Sequence, residues 1–294
     1  MNQNEQIVEL IAAGNTLLGQ KQLFALPPSA TPAADEPLIA LNRALLTPPD
    51  EANAERVQQA KEEHLARLPT ARGAALALLQ FNLGCIALYQ DEVQEAQTRF
   101  GEVVKLDPDH RYARHNLAYT CELMADLSEA RANYARIVHR PDDLALSRLN
   151  LALVRGEEGD ASGCADGLRA LHRRDPGNMG VLLYLCRALL ANKTQADAQE
   201  VVDLLRPGKE WAEFLDLCEC RAYALYVLGE TEAAESAFRE LLAAGEESLF
   251  ARLGLIKALA AQGNFPALKE ELERYQALNP PENLSAVLAL ARSL

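Results

Sequence analysis

Leu78–Pro108 reads LLQFNLGCIALYQDEVQEAQTRFGEVVKLDP: two stretches with apolar residues at helical spacing, joined by a short polar turn. Its landmarks return every 34 residues. Leu83 is followed by Leu117, Leu151 and Leu185, and Gly84 by Ala118, Ala152 and Cys186. Ala96 is followed by Ala130, Cys164 and Ala198, and Phe100 by Tyr134, Leu168 and Val202. Pro108 recurs at Pro176, with Pro141 one residue early between them. A fixed period with two helices per unit predicts an all-α solenoid of helical hairpins.

Composition agrees. The 294 residues could form two globular domains, but the period decides for one array, because each unit of a solenoid contacts only its neighbours. A net charge of −13 argues against nucleic acid, whose phosphates need basic patches, and against an acidic membrane surface. The one basic run, Arg169, His172, Arg173 and Arg174, reads as a solvated helix face. No apolar run reaches the roughly 18 residues that span a bilayer. The opening MNQNEQIVELIAAG carries Glu5 and Glu9 where a secretory leader would be basic, so the expected location is cytoplasmic. The cysteines Cys85, Cys121, Cys164, Cys186, Cys218 and Cys220 all fall in predicted helices. They read as small buried residues of a reducing compartment.

Outward from the quoted stretch, residues 1–70 read as an N-terminal helical cap, with a separate helical module as the alternative. It has a helix over 4–23, a loop over 24–37 whose four prolines forbid helix, and a degenerate hairpin over 37–46 and 51–68, with Asp50 as the second helix's cap. Six regular units then cover 71–282, beginning near residues 77, 111, 145, 179, 215 and 249. The phase slips by two residues near Pro207-Gly208. Residues 283–294 make a C-terminal capping helix carrying Leu284, Val287, Leu288 and Ala291. Within a unit the small residue at Gly84 faces Ala96 where the two helices cross, and Phe100 fills the gap to the next hairpin.

The pair Leu83-Gly84, then Ala96, Phe100 and Pro108, resembles the tetratricopeptide repeat in order and spacing. The resemblance extends over about 71–282. Two departures stand out. Gln80, Arg114 and Arg148 occupy the column of the family's first-helix tryptophan, and Arg221 stands where the fifth unit's leucine would fall. The resemblance implies a right-handed superhelix whose first helices line a concave groove, and a groove that binds a peptide or an extended segment of another protein.

Residues of the first helices opposite the packed columns are the candidates for that groove. Asn82, Asn116 and Asn150 recur at one phase, with Tyr184 next in the series. An amide both donates and accepts, so this column reads either as a ladder for a bound peptide's backbone or as bonds within the array that set the stacking. Around it lie Phe81, Tyr112, His115, Tyr119, Arg187, Tyr223 and Tyr226. Tyr and Arg are the residues favoured at binding hot spots. A clamp for acidic chaperone tails, as some members of this family carry, is not expected. Phe81, Cys85, Asn116, Leu146 and Asn150 hold its columns, and only Asn116 fits.

No phosphate-cradling glycine loop, nucleophile elbow or metal-spaced histidine pair is present, so neither catalysis nor a cofactor or metal is expected. The function expected is a protein-interaction module, an adaptor, scaffold or chaperone-like protein, holding a partner's extended segment. A constitutive assembly subunit using convex or terminal surfaces and a sensor of a small free peptide are the alternatives. The sequence leaves the oligomeric state open.

Overall fold

A computed structural model of the chain describes residues 51–138, 145–206, 210–244 and 249–278. The expected elements over 1–50 and 283–294, the landmark Pro141 and the residues of the slip at Pro207-Gly208 lie outside them. The described residues form thirteen α-helices and two short 3-10 turns, with no strand among them. Their contacts divide the chain into two compact units, up to Gly167 and from Leu168 on. The first holds α1 (Glu51–Arg67), α2 (Gly73–Tyr89), α3 (Val93–Leu106), α4 (Arg111–Leu123), α5 (Leu127–Val138) and α6 (Ala145–Glu157). The division falls inside α7 (Ala161–Arg174). The second holds α8 (Met179–Ala191), α9 (Gln195–Leu204), a 3-10 turn (Glu210–Glu213), α10 (Leu215–Val227), α11 (Thr231–Ala243), α12 (Leu249–Gln262) and α13 (Phe265–Leu278).

Local chemistry sets the boundaries. α3 stops at Asp107, which takes an extended conformation because the following Pro108 disfavours helical angles there. His110 Nδ1 accepts from the Ala113 amide to start α4, and Asp126, Asp160, Asn178 and Thr194 cap α5, α7, α8 and α9 in the same way. Inside each hairpin the chain turns on one residue with positive φ: Asp91, Ala125, Gly159 and Lys193, then Gly229 and Gly263. Successive members lie 34 residues apart except that Gly229 follows Lys193 by 36, which places the two-residue slip between them. Three of the six are not glycine. The turn is therefore a property of the hairpin that its neighbours impose even where a Cβ disfavours it.

Packing follows the columns. Phe100 is fully buried with Ala77, Ala87 and Ala96 of its own hairpin and Ala113 of the next. Gly84 lies directly under its ring, and a Cβ added there would come within 2.7 Å of the ring carbons. Tyr134 and Phe238 fill the same role farther along, each with no exposed surface, and Phe238 presses on Gly254 in the following hairpin.

The vacant tryptophan column has its own substitute. Gln80 accepts from Arg99 (2.9 Å), Arg114 donates to Asn133 (3.3 Å) and Arg252 donates to Glu271 (2.9 Å), each pair spanning the same 19 residues between first and second helix. Arg114 also donates to the Pro108 carbonyl (2.6 Å), and Glu271, itself buried, accepts a further bond from Arg274 (2.9 Å). In these three hairpins a polar couple thus stands where one large ring would.

Candidate functional site

The asparagine column is engaged within the array at both ends. Asn82 is buried, and its amide meets His64 Nε2 of α1 at 3.0 Å. The other ring nitrogen of His64 bonds the Ala60 carbonyl (2.7 Å), and burial lowers the ring's pKa. Asn150 donates to the Tyr134 hydroxyl at 2.9 Å, and that hydroxyl also bonds the Glu122 carboxylate. Burial raises the pKa of both Tyr134 and Glu122. The cause of this arrangement lies in the phenylalanine column. Tyr134 brings an oxygen into a dry interior where Phe100 brings none, and a buried hydroxyl requires a partner. Among the described residues Asn116, half-buried, makes only a long contact with Cys85 Sγ (4.0 Å). Of the two readings of the column, the bonds of Asn82 and Asn150 fit the structural one.

The ring set divides likewise. Phe81, half-buried, packs edge-on against Phe100 (centroids 5.7 Å) and beside His110 (5.1 Å). His115 is interior. Its Nδ1 lies 2.8 Å from the Ser147 hydroxyl of α6, its ring is 5.4 Å from that of Tyr134, and burial brings its pKa down to about 4. Tyr112 is half-buried under the Arg111 guanidinium (4.8 Å). Tyr119 is 41% exposed.

In the second unit the first helices present a more open face. Tyr184 is 41% exposed, and Arg187, one turn on, pairs with Asp216 of α10 at 2.7 Å. Tyr223 lies 6.0 Å from Tyr226 and 5.9 Å from Phe250 of α12, with the Lys257 ammonium 5.8 Å from its ring. Phe250 is half exposed. Arg187 and Tyr223 both stand nine residues into their units, and Asp216 and Phe250 two residues into the units that follow. The same two positions therefore meet across both joints, once as an ion pair and once as an aromatic pair. Phe250 and Lys257 were missed in the sequence. The signal was available: with the slip counted, Phe250 occupies the position of Tyr112.

Burial raises the pKa of Cys85 to about 12 and of Cys220 to about 11, and raises those of Cys121, Cys164, Cys186 and Cys218 as well. Among the described residues no group of His, Cys, Asp and Glu is arranged to hold a metal ion. None of the described helices is long and apolar enough to cross a membrane.

The tetratricopeptide repeat family matches residues 81–145 and 221–283. Two proteins of Komagataeibacter xylinus are similar in sequence. Cellulose synthase 1 operon protein C is 22% identical over 240 residues and cellulose synthase operon protein C is 24% identical over 240; each alignment covers 74% of this chain and 18% of the relative. The chain thus spans under a fifth of the length of these relatives. Among solved structures, the C-terminal part of a repeat protein from Cytophaga hutchinsonii superposes with a TM-score of 0.57 at 14% identity, covering 86% of this chain and 99% of that one. A chain of the Cut9–Hcn1 hetero-tetramer gives 0.56 at 15% identity, covering 97% and 54%. At such identities the likeness bears on the fold alone. With the two matched regions, the 34-residue columns and the all-helical hairpins, the chain is a tetratricopeptide repeat protein. The fold is one that generally mediates protein–protein interaction.

Proposed function

We propose that the chain is a protein-interaction module whose first-helix face in the second unit holds an extended segment of a partner protein. The observation that carries this reading is the joint-by-joint surface of Arg187–Asp216 and Tyr223–Phe250. It is flanked by Tyr184 and left part open to solvent. A merely solvated helix face is built from Lys and Glu. Rigid aromatic rings beside a charge pair supply contact area at low entropic cost and are the residue types that dominate interface energies. The buried Asn82 and the half-buried Asn150 serve the scaffold, and Asn116 and Tyr119 offer a smaller face of the same kind in the first unit.

The test begins with peptides selected on the full chain from a random displayed library, then titrated against variants. Tyr184→Ala/Phe250→Ala is expected to lose at least ~10-fold in affinity, as truncated hot spots do, while keeping its thermal midpoint. Asn82→Ala is expected to lower the midpoint with affinity unchanged. Selected peptides that bind the aromatic double variant as well as they bind wild type would overturn the reading and favour an assembly surface elsewhere.

A further inference from the structure

The fifth hairpin differs from the first, second and sixth at the place where those three carry a polar couple. There the pair four and twenty-three residues into the unit is Cys218 and Ala237, standing where the sixth hairpin has Arg252 and Glu271. Two small side chains leave a cavity of about 330 Å³ between α10 and α11, walled on one side by Trp211. That volume lies at the lower end of small-ligand pockets. Arg221 also lines it. Its position belongs to the leucine column, which in other hairpins is filled by the buried Leu83, Leu151 and Leu185. Its Nε is shielded from solvent and has no hydrogen-bond partner among the described residues. A guanidinium so placed is costly unless an anion meets it, and a carboxylate meets it best through two parallel bonds.

The array itself shows this chemistry in the next hairpin, where Arg252 and Arg274 hold the buried Glu271 carboxylate. In the fifth hairpin Cys218 and Ala237 stand at the corresponding positions, and the Arg221 Nε meets no acceptor among the described residues. We infer that the Arg221 cavity is a binding site for an organic monocarboxylate with an apolar body the size of one amino-acid side chain. Its carboxylate lies on Arg221 and its body against Trp211 and Leu241. Glu240, exposed at the edge, accepts from Ser236 (3.1 Å) and puts a negative charge beside the mouth. This favours a ligand with an N–H donor next to its carboxylate, as an N-acyl amino acid or a polypeptide C-terminus has. The site is separate from the proposed first-helix face, and either assignment can fail alone.

Trp211 is the only tryptophan, so its emission reports the cavity directly. N-acetyl-leucine titrated into the full chain is expected to give a saturable change, and N-acetyl-leucinamide, lacking the charge, at least a ten-fold weaker one. Arg221→Leu, which restores the column's leucine, is expected to abolish the response while the thermal midpoint holds or rises. A tripeptide ending in free leucine that binds tighter than N-acetyl-leucine would identify the ligand as a chain end, and equal binding as a free acid. Both uphold the site. No saturable response up to ~10 mM, or equal responses to acid and amide, would overturn it. The acid–amide comparison on wild type decides the matter even if Arg221→Leu does not fold.

Discussion

Single residues carry more of this fold's particular character than its repeat pattern suggests. Ala125 holds φ +60° at a turn where Gly159, Gly229 and Gly263 meet the same demand without a Cβ. Ala125→Gly is expected to stabilise the chain by about 1 kcal/mol, read as a higher urea midpoint, because the left-handed penalty of a side chain outweighs glycine's extra unfolded entropy. The Asn150–Tyr134 bond predicts a coupling of about 0.5–1.5 kcal/mol in a double-mutant cycle of Asn150→Ala and Tyr134→Phe. His115 sets a pH dependence. Its folded pKa of about 4 lies below the ordinary 6.5, so the unfolded chain takes up the proton first. Its contribution is complete above about pH 6.5 and is lost as pH falls toward 4, about 2 kcal/mol of it between pH 7 and pH 5. His115→Gln is expected to flatten that part of the pH–stability curve. The asparagine column could be seen in the sequence, but the aim of each amide could not. Asn150 turns inward because position 134 happens to carry a hydroxyl, and Asn82 because His64 comes from a helix outside the regular repeat.

At the scale of helices and hairpins, close approach is the controlling quantity. Gly84→Ala would drive a methyl into the immobile Phe100 ring and is expected to cost about 1–3 kcal/mol. Gly101→Ala, in the interior of α3 with nothing within 4 Å of the new methyl, is expected to gain up to about 1 kcal/mol from helix propensity alone. Opposite shifts in the thermal midpoints of these two variants would check both statements. The hairpins, their order and their stops at Asp107 and Asp175 were legible from periodicity and proline placement. The couples that replace the tryptophan column were not. Gln80 and Arg114 look merely exposed in a linear reading, and only their partners nineteen residues on, Arg99 and Asn133, reveal them as cross-braces. The cavity of the fifth hairpin follows from the same comparison, since it becomes visible only once the couple it lacks has been seen elsewhere.

For the molecule as a whole, the relevant balance is between its charge and its local joints. The family and the all-helical solenoid of hairpins follow from one number, the 34-residue period, because a nearest-neighbour array repeats its solution at every step. The binding face does not follow, because it depends on which positions two successive units leave uncovered, and the two-residue slip moves that register midway. With a net charge of −13 the chain repels itself, so moderate sodium chloride is expected to raise its unfolding midpoint rather than lower it. The braces will not share this response equally. The exposed Arg187–Asp216 pair should weaken as ionic strength rises, since at 1 M the screening length shrinks to about 3 Å. Glu271, shut away from solvent between Arg252 and Arg274, is beyond the reach of mobile ions. The α12–α13 hairpin is thus built to keep its grip in brine, while the joint one hairpin earlier loosens.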